Sequence, residues 1–129
     1  MILLDTDILI DFSRGDETSI AVIAANESIN TLAVSTVTVL EFLQGARDKR
    51  EWQTCARSLL RFKHLPLTTE ISLHAPLLFE NYRLSHGLAL GDCLIAATAI
   101  TWNIPLLTKN QRDYRFINDL QLLPYPPTP

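Results

Sequence analysis

The residues best suited to chemistry in this chain are acids, and they come in separated groups. Asp5, Asp7 and Asp11 follow the apolar opening "MILL", Glu41 lies in "STVTVLEFLQGA", and Asp92 stands directly before "CLIAATA". Farther on, "TKNQRD" offers Thr108, Asn110 and Asp113. Carboxylates gathered in one place repel one another unless something positive sits between them. An all-oxygen donor set without His or Cys calls for a hard cation, Mg2+ or Mn2+. Such ions serve phosphoryl chemistry by activating water and neutralising charge on the phosphate. Each acid also has an ordinary explanation: a loop acid for Asp5, a helix cap for Asp7, a solvated position for Asp11, a dipole-favoured helix start for Asp92. Around the helix bearing Glu41, Val39, Phe42, Leu43 and Ala46 share one side, and Thr38, Glu41, Gln44 and Gly45 the other. Glu41 therefore points either to solvent or into a cleft. Convergence decides between these readings.

Convergence depends on the elements. "ILLD" reads as a short buried strand at residues 2–5, with a helix to about Ser13, a break at "RGDETS", and a second helix starting at Thr18 or Ser19. "TLAVS" is a second strand, and the helix after it is capped by Ser35 or Thr36 with Gly45 near its end. An amphipathic helix over 49–62 leads to a third strand, "HLPL", and then to a helix from about Thr69 to Ser85. "GDCLIAATAITW" is apolar on nearly every side and belongs in the interior. "IPLLT" is a fourth strand, "QRDYRF" a short helix and "LQLLPY" a last strand. Short apolar strands alternating with helices give an α/β fold, a mainly parallel sheet covered on both faces. Ligands collect at the carboxyl ends of such strands, near a switch in strand order. Asp5, Glu41, Asp92 and one of Asn110 or Asp113 all fall at that edge.

Composition narrows the rest. The 129 residues suit one domain, read as 1–124 with an extended, Pro-rich tail at 125–129, and 47% apolar against 19% charged residues excludes a disordered chain. No apolar run reaches the roughly 18–20 residues of a membrane span. The opening lacks the basic start of a signal peptide, so a cytoplasmic protein is expected. Cys55 and Cys93 form no C-x-x-C, and His64, His74 and His86 lack the i, i+4 spacing of a zinc site. Cys93 reads as a packed thiol, and glycines 15, 45, 87 and 91 make neither a P-loop nor a dinucleotide turn. Net charge is −3, yet Arg47, Lys49, Arg50, Arg57, Arg61 and Lys63 cluster, as do Lys109, Arg112 and Arg115. Lys109 and Arg112 are thereby candidates to steer a phosphate backbone.

From "LLDTDILID" through "STVTVLEFLQGA" and "GDCLIAATA" to "PLLTKNQRDY", the sequence resembles the PIN-domain ribonucleases, in particular VapC-type toxins of toxin–antitoxin pairs. The resemblance implies a three-layer α/β/α fold around a mainly parallel sheet of four to five strands. It implies Mg2+- or Mn2+-dependent endonucleolytic cleavage of RNA, a homodimer, and control by a small antitoxin that reaches into the acidic site. Asp5, Glu41 and Asp92 match the family's metal-binding acids, Thr6 its small polar residue after the first Asp, and Thr108 its hydroxyl after the fourth strand. Two positions depart from the pattern. Asp7 stands where Asn or Ser is common, and the fourth acidic place reads Asn110, with Asp113 one helical turn on and ranked ahead of it as a catalytic residue.

Three rivals are weaker. A haloacid-dehalogenase-like phosphatase would share "LLDTD" but expects Thr or Val where Leu9 stands, and a further acid where "CLIAA" follows "GD". A receiver-like phospho-acceptor needs an Asp ending the third strand, where Thr68 and Thr69 stand instead. A PIN-like fold kept only for binding would not need all three matched acids.

Overall fold

A computed structural model of the protein describes residues 1–127. Strand β1 (Ile2–Leu4) is followed by α1 (Thr6–Ser13) and α2 (Glu17–Glu27), and β2 (Leu32–Ser35) by α3 (Thr36–Leu43) and α4 (Lys49–Leu59). Then come β3 (Lys63–Leu65), α5 (Thr69–His86), α6 (Leu90–Trp102) and β4 (Leu106–Leu107), with a 3-10 turn at Gln111–Asp113. The sheet is four-stranded and wholly parallel in the order β3-β2-β1-β4.

Alternation along each strand makes the three layers. Ile2, Leu4, Leu32, Val34 and Leu107 pack on one face with Ile8, Leu9, Val22, Ile23 and Phe42 from the first three helices. Leu3, Ala33 and Leu106 face the other way, onto Ile71, Ala75 and Leu78 of α5 and Ile95, Ala96 and Ala99 of α6. Side chains of period two on strands buried from both sides read as one continuous apolar run in sequence. The small Ala96, Ala97 and Ala99 are fully buried, as close approach of α6 to the sheet requires.

Several boundaries differ from expectation for local reasons. Helix α2 begins at Glu17, not at Thr18 or Ser19, because the Asp16 carboxylate accepts from Ser19 N at 2.9 Å and takes the cap. The expected last strand contributes only one parallel bridge, Leu106 to Leu122. Pro124, Pro126 and Pro127 supply no N–H to extend it. Within the expected tail, Tyr125 is half-buried against the core on the α1 side, and Thr128 and Pro129 lie outside the described residues. Among the described residues no helix is long and apolar enough to cross a membrane.

Candidate active site

The chain leaves β1 for β2 on one side and reaches β4 on the other, so strand order reverses between β1 and β4. The crevice that such a switch creates lies above their carboxyl ends. Asp5 leaves β1 there and Thr108 leaves β4, and the Thr108 hydroxyl donates to Asp5 Oδ2 at 2.7 Å. That hydroxyl has one proton. Its contact with Asp7 Oδ2 is longer, 3.2 Å, so the hydroxyl proton points to Asp5.

Asp5, not Asp7, caps α1: it is the last extended residue before the helix and accepts from Thr6 N at 2.8 Å. Asp7 instead reaches across to the loop after β4, where its Oδ2 accepts from Lys109 N at 3.1 Å and Asn110 N at 3.0 Å. Its Oδ1 is buried without a hydrogen-bond partner. Asp11 is not merely solvated, since Lys109 Nζ lies 2.8 Å from its Oδ2.

Glu41 is held by a line of hydroxyls. Thr6 Oγ1 donates to Glu41 Oε1 at 2.6 Å and lies 3.2 Å from Thr38 Oγ1, which lies 3.4 Å from Ser35 Oγ. Thr6 has one proton and the shorter contact takes it, so Thr38 donates to Thr6 and Ser35 to Thr38. Every proton in the line points toward Glu41. Thr38 is fully buried, so this side of α3 faces a cleft rather than solvent, the second of the two alternatives its spacing left open. Spacing alone left both open because a buried polar line looks like a solvated face.

Asp92 is the third residue of α6, whose cap position, Ala89, makes no side-chain bond, so Asp92 is not the cap. It accepts instead from the Tyr114 hydroxyl at 3.0 Å. Sequence reasoning missed Tyr114. Its only signal was an aromatic ring carrying a hydroxyl directly after Asp113. The preceding Gly91 lets α6 approach α3, since a Cβ there would sit 3.1 Å from Glu41 Oε2.

Burial and mutual repulsion show in the acids' proton affinities. Asp5 is pushed from 3.8 up to about 7, first by burial and next by the charge of Asp7, with Asp92 adding a little. Asp7 is raised by burial against the pull of the Lys109 and Asn110 amides. Asp92 is raised by burial, opposed by Tyr114 and assisted by Asp113, Glu41 and Asp7. Five acids from four segments therefore share one field.

Asp92 and Asp113 line one cavity of about 230 Å³, together with Arg112. Glu41 lines another, of about 460 Å³, with Arg14 and Arg47. Asn110 lines neither. Of the candidate basic residues, Lys109 is committed to Asp11, Arg47 to Glu51 and Arg61 to Glu27. Arg112 is exposed.

Among the described residues no three His, Cys, Asp or Glu side chains already stand close enough to share one ion. Mg2+ does not demand that. It keeps several of its waters and is typically bound through one or two carboxylates plus phosphate oxygens. The all-oxygen donors and the unpartnered Asp7 Oδ1 fit a hard, partly hydrated cation.

Comparison with known proteins gives related sequences and folds. The family profile described as "PIN domain" matches residues 2–118. The chain is 37% identical over 114 residues to Ribonuclease VapC10 of Mycobacterium tuberculosis, covering 85% of this chain and 83% of that one. It is 29% identical to Ribonuclease VapC of Rickettsia bellii, covering 97% and 96%. Among solved structures it superposes on a toxin–antitoxin complex from Klebsiella pneumoniae with TM-score 0.77 and 28% identity, covering 93% and 95% of the two chains. VapBC-1 of nontypeable Haemophilus influenzae gives TM-score 0.79 and 26% identity, covering 95% and 96%.

Proposed function

The chain belongs to the PIN-domain family, and on that premise we propose that it is a VapC-type ribonuclease, the toxin of a toxin–antitoxin pair. The observation that supports the reading is that the site's acids feel one another's charge near the β1/β4 switch point. Asp5 feels that of Asp7 and Asp92, and Asp92 that of Asp113, Glu41 and Asp7, although among the described residues no three of them yet stand close enough to share one ion. The reaction is endonucleolytic hydrolysis of an RNA phosphodiester. The phosphatase and receiver readings have no comparable support.

Asp5, Glu41 and Asp92 are the proposed metal-binding acids, and the buried Asp7 Oδ1 is available beside them. When bound, Mg2+ or Mn2+ neutralises charge on the phosphate and lowers the pKa of attacking water. The protein's own part is positioning. Thr108 fixes one Asp5 oxygen, Thr6 fixes one Glu41 oxygen, and Tyr114 fixes one Asp92 oxygen. Glu41 and Asp92 each thus keep the other oxygen for a ligand. Both Asp5 oxygens already accept, one from Thr6 N and one from Thr108, so Asp5 would bind through a remaining lone pair. Asp113, which lines the Asp92 cavity, is the proposed water-aligning residue in preference to Asn110, which contributes its backbone N–H to Asp7. Arg112 is the better candidate for the RNA backbone, since Lys109 is already paired.

The partner in this reading is an antitoxin, as in the toxin–antitoxin complexes to which the fold is similar. A homodimer belongs to the same proposal. Leu73, Leu77, Leu84 and Leu90, all at least 59% exposed on α5 and α6, offer an apolar surface for it. Such a pair works in the cytoplasm, where its RNA is.

The test is cleavage of single-stranded RNA with Mg2+ or Mn2+ by the unmodified protein and by Asp5→Asn and Asp92→Asn. Both variants should fold and lose cleavage, and excess EDTA should silence the unmodified protein. Full activity in EDTA, or in either variant, would sink the mechanism.

A further inference from the structure

The cavity that holds Asp92 and Asp113 has a second wall with no part in the chemistry above. There His86 stacks on Phe116, ring centroids 4.3 Å apart and 16° from parallel. Tyr82 backs both rings, at 5.9 Å from His86 and 5.4 Å from Phe116. His86 is exposed and Phe116 half-buried, so the stack has a wet side. Arg112 stands on the same cavity.

The rim is braced in advance. Gly87 ends α5 at φ 71°, a left-handed turn that suits glycine. Arg83 Nη1 donates to the carbonyls of Gly87 and Leu88 at 3.3 and 3.1 Å, so the loop between α5 and α6 is fixed by its own helix. Preformed cavities cost less to fill than those that must be ordered on binding. At about 230 Å³ this one lies below the roughly 300–1,000 Å³ usual for drug-sized ligands, a fit for one planar ring system.

We propose that this cavity is a nucleobase subsite, in which one unpaired base of the RNA stacks on the His86–Phe116 pair while Arg112 meets the adjacent phosphate. The inference rests on the ribonuclease reading and adds where the strand is gripped. Single strands are held by this combination, bases on aromatic side chains and backbone on cations. The cavity also contains Asp92, so a base seated there sets its neighbouring phosphodiester beside the acids. The same aromatic cluster used only as packing would pin the end of α5 to the segment after the 3-10 turn and would have no effect on RNA.

The experiment compares His86→Ala, His86→Phe and Arg112→Ala in the Asp5→Asn background, full-length. It measures binding of a short mixed-sequence single-stranded RNA over a range of salt, and binding of inorganic polyphosphate, which has charge but no bases. His86→Ala should weaken RNA binding by about 5- to 150-fold, the range that base stacking supplies. It should leave the salt dependence and polyphosphate binding unchanged, and His86→Phe should restore RNA binding. Arg112→Ala should weaken both ligands and reduce the salt slope by about one. Unchanged RNA binding in His86→Ala, equal losses for RNA and polyphosphate, or no rescue by His86→Phe would each overturn the subsite. Failure of the unmodified protein to cleave any RNA would overturn the ribonuclease reading instead.

Discussion

The Tyr114 hydroxyl donates to Asp92 Oδ1 across 3.0 Å from a ring that is 1% exposed. It ties the first turn of α6 to the segment just after the 3-10 turn. Burial, then the nearby charges of Asp5 and Asp92, push the Tyr114 phenol upward, so it is a neutral donor at any working pH. A neutral donor between carboxylates orients one without adding charge. Tyr114→Phe keeps the packed ring and removes only that proton. It should cost about 1.5–3 kcal/mol of stability, the range for a hydrogen bond to a charged group. It should also weaken Mg2+ binding by titration calorimetry. Unchanged stability and metal affinity would show that Asp92 does not depend on it.

Metal-free stability should fall as pH rises. Asp5 has its carboxyl raised from 3.8 to about 7, by burial first and then by Asp7. The raised group contributes stability that is full below 3.8 and is lost as pH climbs through about 7, because the unfolded chain ionises where the folded one resists. At about 1.4 kcal/mol per pH unit the loss from this group is bounded at roughly 4 kcal/mol. Thermal unfolding in EDTA between about pH 4 and pH 8 spans the window and measures it. Mg2+ should reverse the loss most strongly at the alkaline end, and its binding should release protons.

Asp5→Asn should separate stability from activity. Asparagine caps a helix about as well as aspartate, so the bond from Thr6 N survives. The buried charge beside Asp7 and Asp92 is gone. The variant should therefore melt higher than the unmodified protein at about pH 8 in EDTA, by roughly 1–3 kcal/mol, while RNA cleavage disappears. Equal or lower melting would mean that repulsion among the acids is relieved some other way.

Gly91→Ala tests the seam between α6 and α3. A Cβ there would stand 3.1 Å from Glu41 Oε2 and 3.6 Å from Val37 Cγ1. Helix propensity favours alanine by about 1 kcal/mol, so stability should change little. Glu41 cannot yield freely, because Thr6 holds its other oxygen at 2.6 Å. Displacing a reacting group by a fraction of an ångström should lower kcat by roughly 10- to 100-fold, measured on RNA cleavage.

Much of the fold was legible in the residues because the signals were local. Continuous apolar runs marked β1, β2 and β4, and helical spacing marked α5 to within a residue. The short strand after β4 was misread because proline removes ladder donors irrespective of how apolar its neighbours are. The site was legible in outline, as acids placed after strands or at helix starts. Its internal wiring was not. Asp5, not Asp7, caps α1, since capping depends on which residue is last in extended backbone, and Asp7 instead holds the loop after β4.

What the sequence determined by itself is the inventory: acids at strand ends, a helix apolar enough to be buried, and no thiol or imidazole pair to compete for metal. Those follow from residue type and period, which need no partner. Only the tertiary structure decided which oxygens are occupied and which are free. Thr108 lies 103 residues from Asp5, Glu41 35 from Thr6, and Tyr114 22 from Asp92. Hydrogen bonds at 2.6–3.0 Å between residues so far apart are set by the parallel sheet order, and no window of the sequence contains both partners.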